Sequence, residues 1–543
     1  MTGEIQDQSQ RLPKKILFTA LGCLTASLFV SFFDQTAITT AIPSISDDLG
    51  NAQLLNSWIG SSYLIANTNF QLLYGRFSDI FGRKQVLLFS LFCLFFGNLI
   101  SGFSRNPEML FVFRGISGMG GGGINCLVMI SFSDLLSTRE RGKYFGFVAA
   151  STALGNGLGP LIGGVLSLKA SWRWVLWITC PISVLSGLLV IFFVPLKQVS
   201  GSFKEKLRLL DWAGFLSALV SIILCLVSVS GGGESWSWSS CTFIVLIVIS
   251  VVAFVVFVIS EKFSSLPMIP LNIFCDLQKS ILFLICFIMG WAYFVDMYYY
   301  PLYLQNVRGW SPIMSGLLQL PATCSSSIFG IAVGFINSKT GYYVRCVWLG
   351  GALWCLGTGL KIMFKKNSHI GLLIGSNLIQ GLGIAFTFQP TLLALLSHSS
   401  SEQRAVVTGL RNFFRCLGGA VGIICSGIIF REIFKKRLNS ILDDKTLIDQ
   451  IISNPSLTQK FTSKYLRDQV MEKYLNSFTD IMISLTAVSG FMLLTSLIIK
   501  DGKDDENKLL PDITDQQEIE RSDSFEASST VEVILKSWEA TKF

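Results

Sequence analysis

Charged residues are scarce in this 543-residue sequence: Asp, Glu, Lys and Arg together make up 14% of it, and 51% of the residues are hydrophobic. Soluble domains carry about 25% charged residues, so the composition argues against a soluble protein and predicts residence in a lipid bilayer. Histidine is almost missing, since only His369 and His398 occur. This scarcity argues against a histidine-based metal centre or catalytic site.

Signals for other partner chemistry are missing as well. The 13 cysteines contain no CxxC pair and no Cys/His cluster, so they are interpreted as small buried apolar side chains rather than zinc ligands or a disulfide framework. The net charge of +8 is spread over short loops without a basic stripe, which argues against nucleic acid as a partner. No metal, no cofactor and no enzyme activity is predicted.

Long apolar runs account for most of the chain. A helix needs about 20 mostly apolar residues to cross a bilayer, and backbone polar groups in hydrocarbon must be satisfied within their own segment. The sequence therefore predicts an all-α integral membrane protein with fourteen transmembrane helices. They are predicted at about 16–41, 54–74, 85–104, 108–130, 143–166, 172–195, 212–230, 241–260, 280–303, 313–336, 345–364, 370–396, 405–430 and 477–499.

Lys and Arg are concentrated in the loops on one side of these runs, which predicts cytoplasmic N- and C-termini. The smaller set on the opposite side comprises Arg105, Lys169, Arg173, Arg308, Lys361, Lys365 and Lys366. The predicted organisation is a cytoplasmic N-terminus at 1–15, a six-helix half at 16–195, a linker with two extra membrane helices at 196–279, a second six-helix half at 280–499, and a disordered cytoplasmic tail at 500–543. A long non-cytoplasmic loop is predicted within the second half, at 431–476.

Two stretches of the chain repeat each other. "GRFSDIFGRK" from Gly75 and "GFINSKTGYY" from Gly334 share two glycines seven residues apart, and "RGISGMG" from Arg114 has a counterpart in "QGLGIAF" from Gln380. Each copy falls at the same place in a block of six runs. Two related halves with a binding site between them are the usual design of secondary transporters.

The first repeat carries a set of charges and glycines between two apolar runs. Its glycines permit a tight turn, and its cations can pair with carboxylates at the seam between the halves, where Asp134 is the predicted partner of Arg83. We interpret the set as a conformational latch; the alternative is that it only anchors the loop at the membrane surface. The latch residues are Gly75, Asp79, Gly82, Arg83, Lys84 and Asp134.

Small residues line one face of the fifth run, in "GNGLGPLIGG". Their spacing allows close helix packing, and Pro160 adds a kink. The residues are Gly155, Gly159, Pro160, Gly163 and Gly164. Ordinary helix packing is the alternative to a specific functional role.

Ionisable residues inside apolar runs are the best functional signal, because each costs about 2.5–3.5 kcal/mol on insertion scales. Asp34 is the predicted coupling residue, since a carboxyl group away from water can take up and release a proton. The alternative is a salt bridge from Asp34 to Arg114 that only ties helices together. The further candidates for substrate or proton coupling are Arg114, Asn67, Asn125, Asn156, Asp296 and Gln380. Asp296, Arg411, Arg415 and Asp480 are expected closer to helix ends, where an interfacial position explains them at least as well.

Several of these motifs together resemble the major facilitator superfamily, in particular its fourteen-span drug:proton antiporters. "LIANTNFQLLYGRFSDIFGRK" and "RERGKYFGF" are most similar to fungal vacuolar basic amino acid transporters. The resemblance implies an antiporter that exchanges protons for lysine, arginine or histidine, or for amphipathic drugs, and moves them from the cytosol into a vacuole or out of the cell. The vacuolar transport of basic amino acids is the favoured expectation, and the protein is expected to be a monomer. An acidic dileucine pattern at Asp505, Leu509 and Leu510 resembles a vacuolar sorting signal that a sorting adaptor would bind.

Two other functions remain open. A plasma-membrane multidrug/proton antiporter that exports amphipathic cations has the same architecture. A non-transporting membrane sensor is the more remote alternative, and the intact Asp34 and Asp79 argue against it.

Overall fold

The computed structural model describes most of the chain. The described residues are 12–49, 52–136, 138–196, 199, 211–231, 239–264, 267, 269–340, 342–399, 403–442, 444–453 and 464–500. The predicted sorting residues Asp505, Leu509 and Leu510 lie outside them, as do residues 501–543 of the predicted tail at 500–543.

The described residues form α-helices joined by short connections. The first ten helices are α1 (Lys14–Ala37), α2 (Ile42–Leu49), α3 (Ala52–Phe81), α4 (Arg83–Gly102), α5 (Pro107–Leu135), α6 (Thr138–Lys169), α7 (Trp172–Trp177), α8 (Thr179–Phe193), α9 (Trp212–Gly231) and α10 (Cys241–Phe263). The others are α11 (Leu277–Asn306), α12 (Pro312–Thr340), α13 (Val344–Lys361), α14 (Ile370–Ser397), α15 (Arg404–Leu438), α16 (Lys445–Ser453) and α17 (Lys464–Ser496). Short 3₁₀ turns follow α1 at Ile38–Thr40 and precede α11 at Leu271–Cys275.

Each of the fourteen predicted runs overlaps one of these helices or the α7–α8 pair. Eleven segments are long and apolar enough to cross a membrane, and α3, α6 and α13 fall outside that set. Exposed Val, Ile and Phe side chains cover α10, with Val251, Val252 and Phe254 each more than half exposed. Such a surface is compatible with lipid and not with water, so the structure is a helical membrane protein.

The same helix pairs are in contact in both halves of the bundle. In the N-half (α1 to α8), α1 packs on α6 and α8, α5 packs on α3 and α4, and α4 packs on α8. In the C-half (α11 to α17), α11 packs on α15 and α17, α14 packs on α12 and α13, and α13 packs on α17. The two halves thus share one architecture, with α1 equivalent to α11, α3 to α12, α4 to α13, α5 to α14, α6 to α15 and α8 to α17.

The halves meet through two equivalent contacts, α3 with α15 and α6 with α12. Gly82 forms the turn between α3 and α4 and adopts a positive φ of 99°. We call the end of the bundle at this turn the Gly82 face. At this face a Cβ on Gly75 would lie 3.1 Å from the carbonyl oxygen of Ala405. Leu392 and Leu396 of α14 also join an apolar cluster built mainly from the N-half. The two halves are therefore closed against each other at the Gly82 face.

The segment predicted as a loop at 431–476 consists largely of helix. α15 continues to Leu438, α16 covers Lys445–Ser453, and α17 begins at Lys464. One side of α15 and α16 is buried through Phe434, Ile448 and Ile451, which join the C-half core. The apolar residues of this segment thus pack against the C-half core. The polar composition of the segment gave no indication of this packing.

Candidate transport site

Asp34 is buried within the N-half, three residues before the end of α1 at Ala37. Its carboxylate is paired with Arg114 of α5, whose Nη1 atom lies 3.0 Å from Oδ2 and 3.2 Å from Oδ1. Only 2% of Asp34 and 1% of Arg114 are exposed. The salt bridge considered from the sequence is therefore present, and it is closed off from the surroundings.

Asn98 of α4 completes this network. Its Nδ2 donates to Oδ1 of Asp34 at 2.8 Å, and its Oδ1 accepts from Arg114 Nη1 at 3.1 Å and from Ser117 Oγ at 2.8 Å. The ring of Tyr63 lies 4.6 Å from the Arg114 guanidinium carbon. Hydrogen bonds to a charged group are stronger than those between neutral groups, so this network connects α1, α4 and α5.

A second buried network lies in the C-half. Nζ of Lys361 lies 2.6 Å from Oδ1 of Asp296 and 2.5 Å from Oε1 of Gln380, and 4.7 Å from the centre of the Tyr300 ring. Lys361 is 0% exposed. The expectation that Lys361 is a loop cation is corrected by this placement, because the side chain at the end of α13 turns into the bundle.

The two networks occupy equivalent helices. The acid is Asp34 on α1 in one half and Asp296 on α11 in the other. In the N-half α4 supplies an amide and α5 the cation; in the C-half α13 supplies the cation and α14 the amide. Asn98 and Lys361 are the residues that hydrogen-bond directly to the two acids and were not predicted as site residues from the sequence. The signal available for both was a polar residue within a predicted span, at 85–104 and at 345–364.

The remaining amide candidates make no described hydrogen bond to Asp34, Arg114, Asp296 or Lys361. Asn67 is buried on α3 and accepts a hydrogen bond from Gln71 Nε2. Asn125 on α5 is 6% exposed, and its Oδ1 has no partner among the described residues. Asn156 on α6 is half-buried, and no described hydrogen bond joins it to Asp34 or Arg114. The structure therefore brings together Asp34 with Arg114, and Asp296 with Gln380, out of the predicted set.

The glycine face of α6 packs on the part of α1 that carries Asp34. A Cβ on Gly155 would lie 2.8 Å from Phe32 Cβ, and one on Gly159 would contact the Thr36 hydroxyl and lie 3.0 Å from the Ala37 nitrogen. A Cβ on Gly163 would meet the carbonyl of Ala37, and Gly164 is buried beside it. The opposite side of α6 reaches the C-half, where a Cβ on Gly316 would lie 3.8 Å from Pro160 Cβ.

Gly159→Ala is expected to destabilise the protein by about 1–3 kcal/mol, the usual cost of overpacking. The added methyl group would press against α1 backbone that cannot move aside. The matched control is Gly187→Ala on α8, where nothing lies within 4 Å of the new Cβ and alanine favours the helix by about 0.8–1 kcal/mol. Thermal unfolding of the two purified variants checks this. Equal melting temperatures would show that α6 and α1 are not tightly packed there.

The charges of the first repeat form a cluster within the N-half. Arg83 donates to Asp79 Oδ1 at 2.6 Å and to Asp134 Oδ2 at 3.0 Å, so the contact predicted between Arg83 and Asp134 is present. Both carboxylates belong to the same half, however, and Lys84 donates to the Ile191 carbonyl at 2.8 Å. The expectation that Arg83 and Lys84 pair with carboxylates across the seam is corrected accordingly.

Neighbours of this cluster make contacts outside the N-half instead. Gly75 approaches Ala405, and Arg76 donates from Nε to the carbonyl of Pro267 at 2.7 Å, between α10 and α11. Arg76 also lies 3.6 Å from Asp79. Arg76, which was not predicted from the sequence, thus connects this cluster to the segment before α11, and Asp79 lies between Arg76 and Arg83.

Asp48 joins α2 to α7 at the end of the N-half opposite the Gly82 face. It lies on α2, after the first span, and accepts from Trp172 Nε1 at 3.0 Å and from Arg173 Nη1 at 2.7 Å. The hydrogen bond from Trp172, and then that from Arg173, lowers the pKa of Asp48. A lowered pKa means that the contact stabilises the fold at pH values above the ordinary carboxyl pKa and weakens only as the pH falls through the lowered value. The contact thus persists in mildly acidic surroundings.

Arg411 and Arg415 lie inside the bundle and not at a helix end as expected. Arg411 is 3% exposed, and its Nη2 donates to the Phe388 carbonyl at 2.7 Å. The guanidinium carbon of Arg415 lies 5.5 Å from the centre of the Phe388 ring. The next residue, Cys416, reaches across the seam to Gln71 Oε1 at 3.8 Å. The two arginines are thus beside the boundary between the halves.

Comparison with known proteins agrees with this architecture. The family model described as "Major Facilitator Superfamily" matches residues 24–423. The chain belongs to the major facilitator superfamily. The human organic anion transporter MFSD10 (TETRAN) has the same fold, with a TM-score of 0.59 at 13% identity over 88% of this facilitator and 99% of that chain.

Three curated fungal relatives are transporters by name. Citrate exporter 1 of Yarrowia lipolytica is 36% identical over 501 residues, 92% of this facilitator and 74% of the relative. Efflux pump dotC of Dothistroma septosporum is 33% identical, with 79% and 74% covered. The MFS-type efflux pump LUC4 of a Fusarium species is 30% identical, with 90% of each chain covered. This facilitator is accordingly a multi-pass membrane transporter.

Proposed function

We propose that this facilitator is a proton-coupled exporter of small organic solutes that works by alternating access between its two halves. The observation that carries the proposal is the buried Asp34–Arg114–Asn98 network, in which one carboxylate contacts side chains of two other helices. The names of the relatives, an exporter and two efflux pumps, support export as the direction.

The mechanism follows from the change in charge at Asp34. Ionised Asp34 holds α1 against α4 and α5; protonated Asp34 leaves Arg114 without a counter-charge and releases that bond. Because α6 packs on α1 with one side and on α12 with the other, a shift of α1 is passed to the contact between the halves. A proton can move the equilibrium between two conformations only if it binds one of them more tightly. The Asp34–Arg114 ion pair would provide this difference, because a conformation that keeps the pair binds the proton more weakly than one that lacks it.

Transport of basic amino acids into the vacuole is the second candidate. It is implied by the resemblance, and the two buried carboxylates of Asp34 and Asp296 favour it because a carboxylate can bind a cationic substrate. Each is already neutralised by its own cation, at 3.0 Å and 2.6 Å respectively, so neither is free for a cationic substrate in this conformation. None of the three relatives compared above is named for basic amino acids. Proton antiport, the vacuolar location and the fourteen-span branch remain predictions.

Proteoliposomes with an internal pH indicator test the proposal. Addition of a transported solute is expected to move protons in the opposite direction, and a protonophore is expected to abolish accumulation of the solute. Candidate solutes of both signs, including lysine and citrate, are added separately. Accumulation that is unchanged by the protonophore would overturn proton coupling, and no movement of any solute would support the membrane sensor instead.

A further inference from the structure

We infer that Arg411 and Arg415 form a binding site for a small organic carboxylate at the boundary between the halves. The two side chains are four residues apart on α15 and therefore on the same face of the helix. No carboxylate within salt-bridge distance neutralises either of them among the described residues. The hydrogen bonds of Arg411 go to neutral acceptors, the Asn412 side chain at 3.0 Å and the Phe388 carbonyl at 2.7 Å.

This arrangement is unfavourable unless a ligand completes it. Like charges four residues apart destabilise a helix, and a buried charge without a partner is costly. The other buried cations of the bundle demonstrate the usual solution, since Arg114 is paired with Asp34 and Lys361 with Asp296. The Nε atoms of Arg411 and Arg415 are buried and have no hydrogen-bond partner among the described residues. Two guanidinium groups without a counter-charge thus remain where an anion would satisfy them.

The position is suited to a ligand that enters between the halves. Arg415 is eleven residues after the start of α15 at Arg404, which places it about 16 Å into the bundle at 1.5 Å per residue. Arg415 and Tyr293 of α11 are only half-buried at this depth. The Tyr293 ring lies 5.4 Å from that of Phe388, whose ring is beneath Arg415. An accessible cation beside two aromatic rings provides both a charged and an apolar surface for an organic anion.

The planar fork of an arginine binds a carboxylate through two parallel hydrogen bonds. Two arginines on one face of a helix match a molecule with two or more carboxylates, whose charges they would balance. Phosphate shares the same recognition chemistry, so it is the competing ligand to be distinguished. The inference rests on the proposed transport function, which supplies the reason for a ligand to reach this depth.

Equilibrium binding to the purified full-length protein in lipid nanodiscs tests the site without any gradient. The probes are citrate, succinate, inorganic phosphate and lysine, measured by calorimetry. Citrate and succinate are expected to bind, and Arg411→Gln or Arg415→Gln is expected to weaken binding by about 10- to 100-fold, the usual value of a hydrogen bond to a charged group. The matched control is Lys436→Gln, an exposed cation on the same helix, which is expected to bind as the wild type does.

Thermal unfolding of the same variants separates a binding role from a structural one. If the arginines serve a ligand, the glutamine variants are expected to be at least as stable as the wild type without ligand and to lose the stabilisation that citrate provides. A lowered melting temperature without ligand, together with unchanged citrate binding, would overturn the inference. Binding of phosphate alone, or of lysine in preference to citrate, would overturn the carboxylate assignment. Any of these results would leave proton coupling at Asp34 open to its own test.

Discussion

Asp34→Asn is expected to abolish proton-driven accumulation of the substrate. Asparagine keeps the size of the side chain and one oxygen acceptor for Asn98 and Arg114, but its amide cannot take up or release a proton as a carboxyl group can. If one proton is exchanged per substrate, each pH unit supports about a tenfold accumulation ratio. The wild type should therefore gain about one decade of accumulation per imposed pH unit, and the variant none, in proteoliposomes whose membrane potential is clamped to zero.

Asp48→Asn is the matched control for this experiment. Asp48 is fourteen residues further along the chain, and its side chain is 47% exposed, so it is expected to keep the wild-type dependence on the pH gradient. Movement of substrate down its own gradient is expected to survive in Asp34→Asn, because alternating access does not require net proton transfer. An unchanged response of Asp34→Asn to the pH gradient would contradict the assignment and direct attention to Asp296.

A double variant separates coupling from folding. Asp34→Asn leaves Arg114 charged and only partly satisfied in a buried position, and breaking a buried pair costs about 3–5 kcal/mol. Asp34→Asn/Arg114→Gln removes both charges and is expected to restore most of the melting temperature. It is expected to remain unresponsive to the pH gradient. Restored coupling in the double variant would mean that the proton is carried by another residue.

Much of the helical architecture could be predicted from the sequence, because a membrane span depends mainly on the length and apolarity of one continuous run. The repeat at Gly75 and Gly334 predicted two related halves, and the shared helix contacts of α1 to α8 and α11 to α17 agree with it. The helices within the predicted loop at 431–476 were not predicted from the sequence, because they are polar on one side. Only the packing of Phe434 and Ile448 into the C-half core shows which side is buried.

The site was harder to predict, because it depends on where side chains from different helices meet. Asp34 could be identified as an acid in an apolar run, and Arg114 as its partner. Lys361 could not be recognised as a buried residue, since a lysine near the end of a run is equally compatible with a loop cation. Arg411 and Arg415 were expected near a helix end for the same reason. In both cases the direction of a long side chain decides whether its charge is buried or lies at the membrane surface. The position of the residue in the sequence does not give that direction.

Lys361→Met is expected to cause a larger loss of stability than removal of an exposed cation. Lys361 is 0% exposed and is the only cation within salt-bridge distance of Asp296 among the described residues. Methionine would leave that carboxylate buried without a counter-charge, at a cost of about 3–5 kcal/mol. The control is Lys366→Met, five residues later, where the side chain is 55% exposed and its bridge to Asp468 is worth about 0–1 kcal/mol. Melting temperature and the yield of monodisperse protein measure the difference.

The neutral double variant Lys361→Gln/Asp296→Asn tests whether the C-half network serves stability alone or also proton coupling. Its amides can still hydrogen-bond to each other and to Gln380, so most of the stability lost in Lys361→Met is expected to return. The double variant is also expected to keep the wild-type gain in accumulation per pH unit, because we assign the transported proton to Asp34. A stable double variant that no longer responds to the pH gradient would place a coupling proton on Asp296. In that case proton exchange would involve both halves of the bundle.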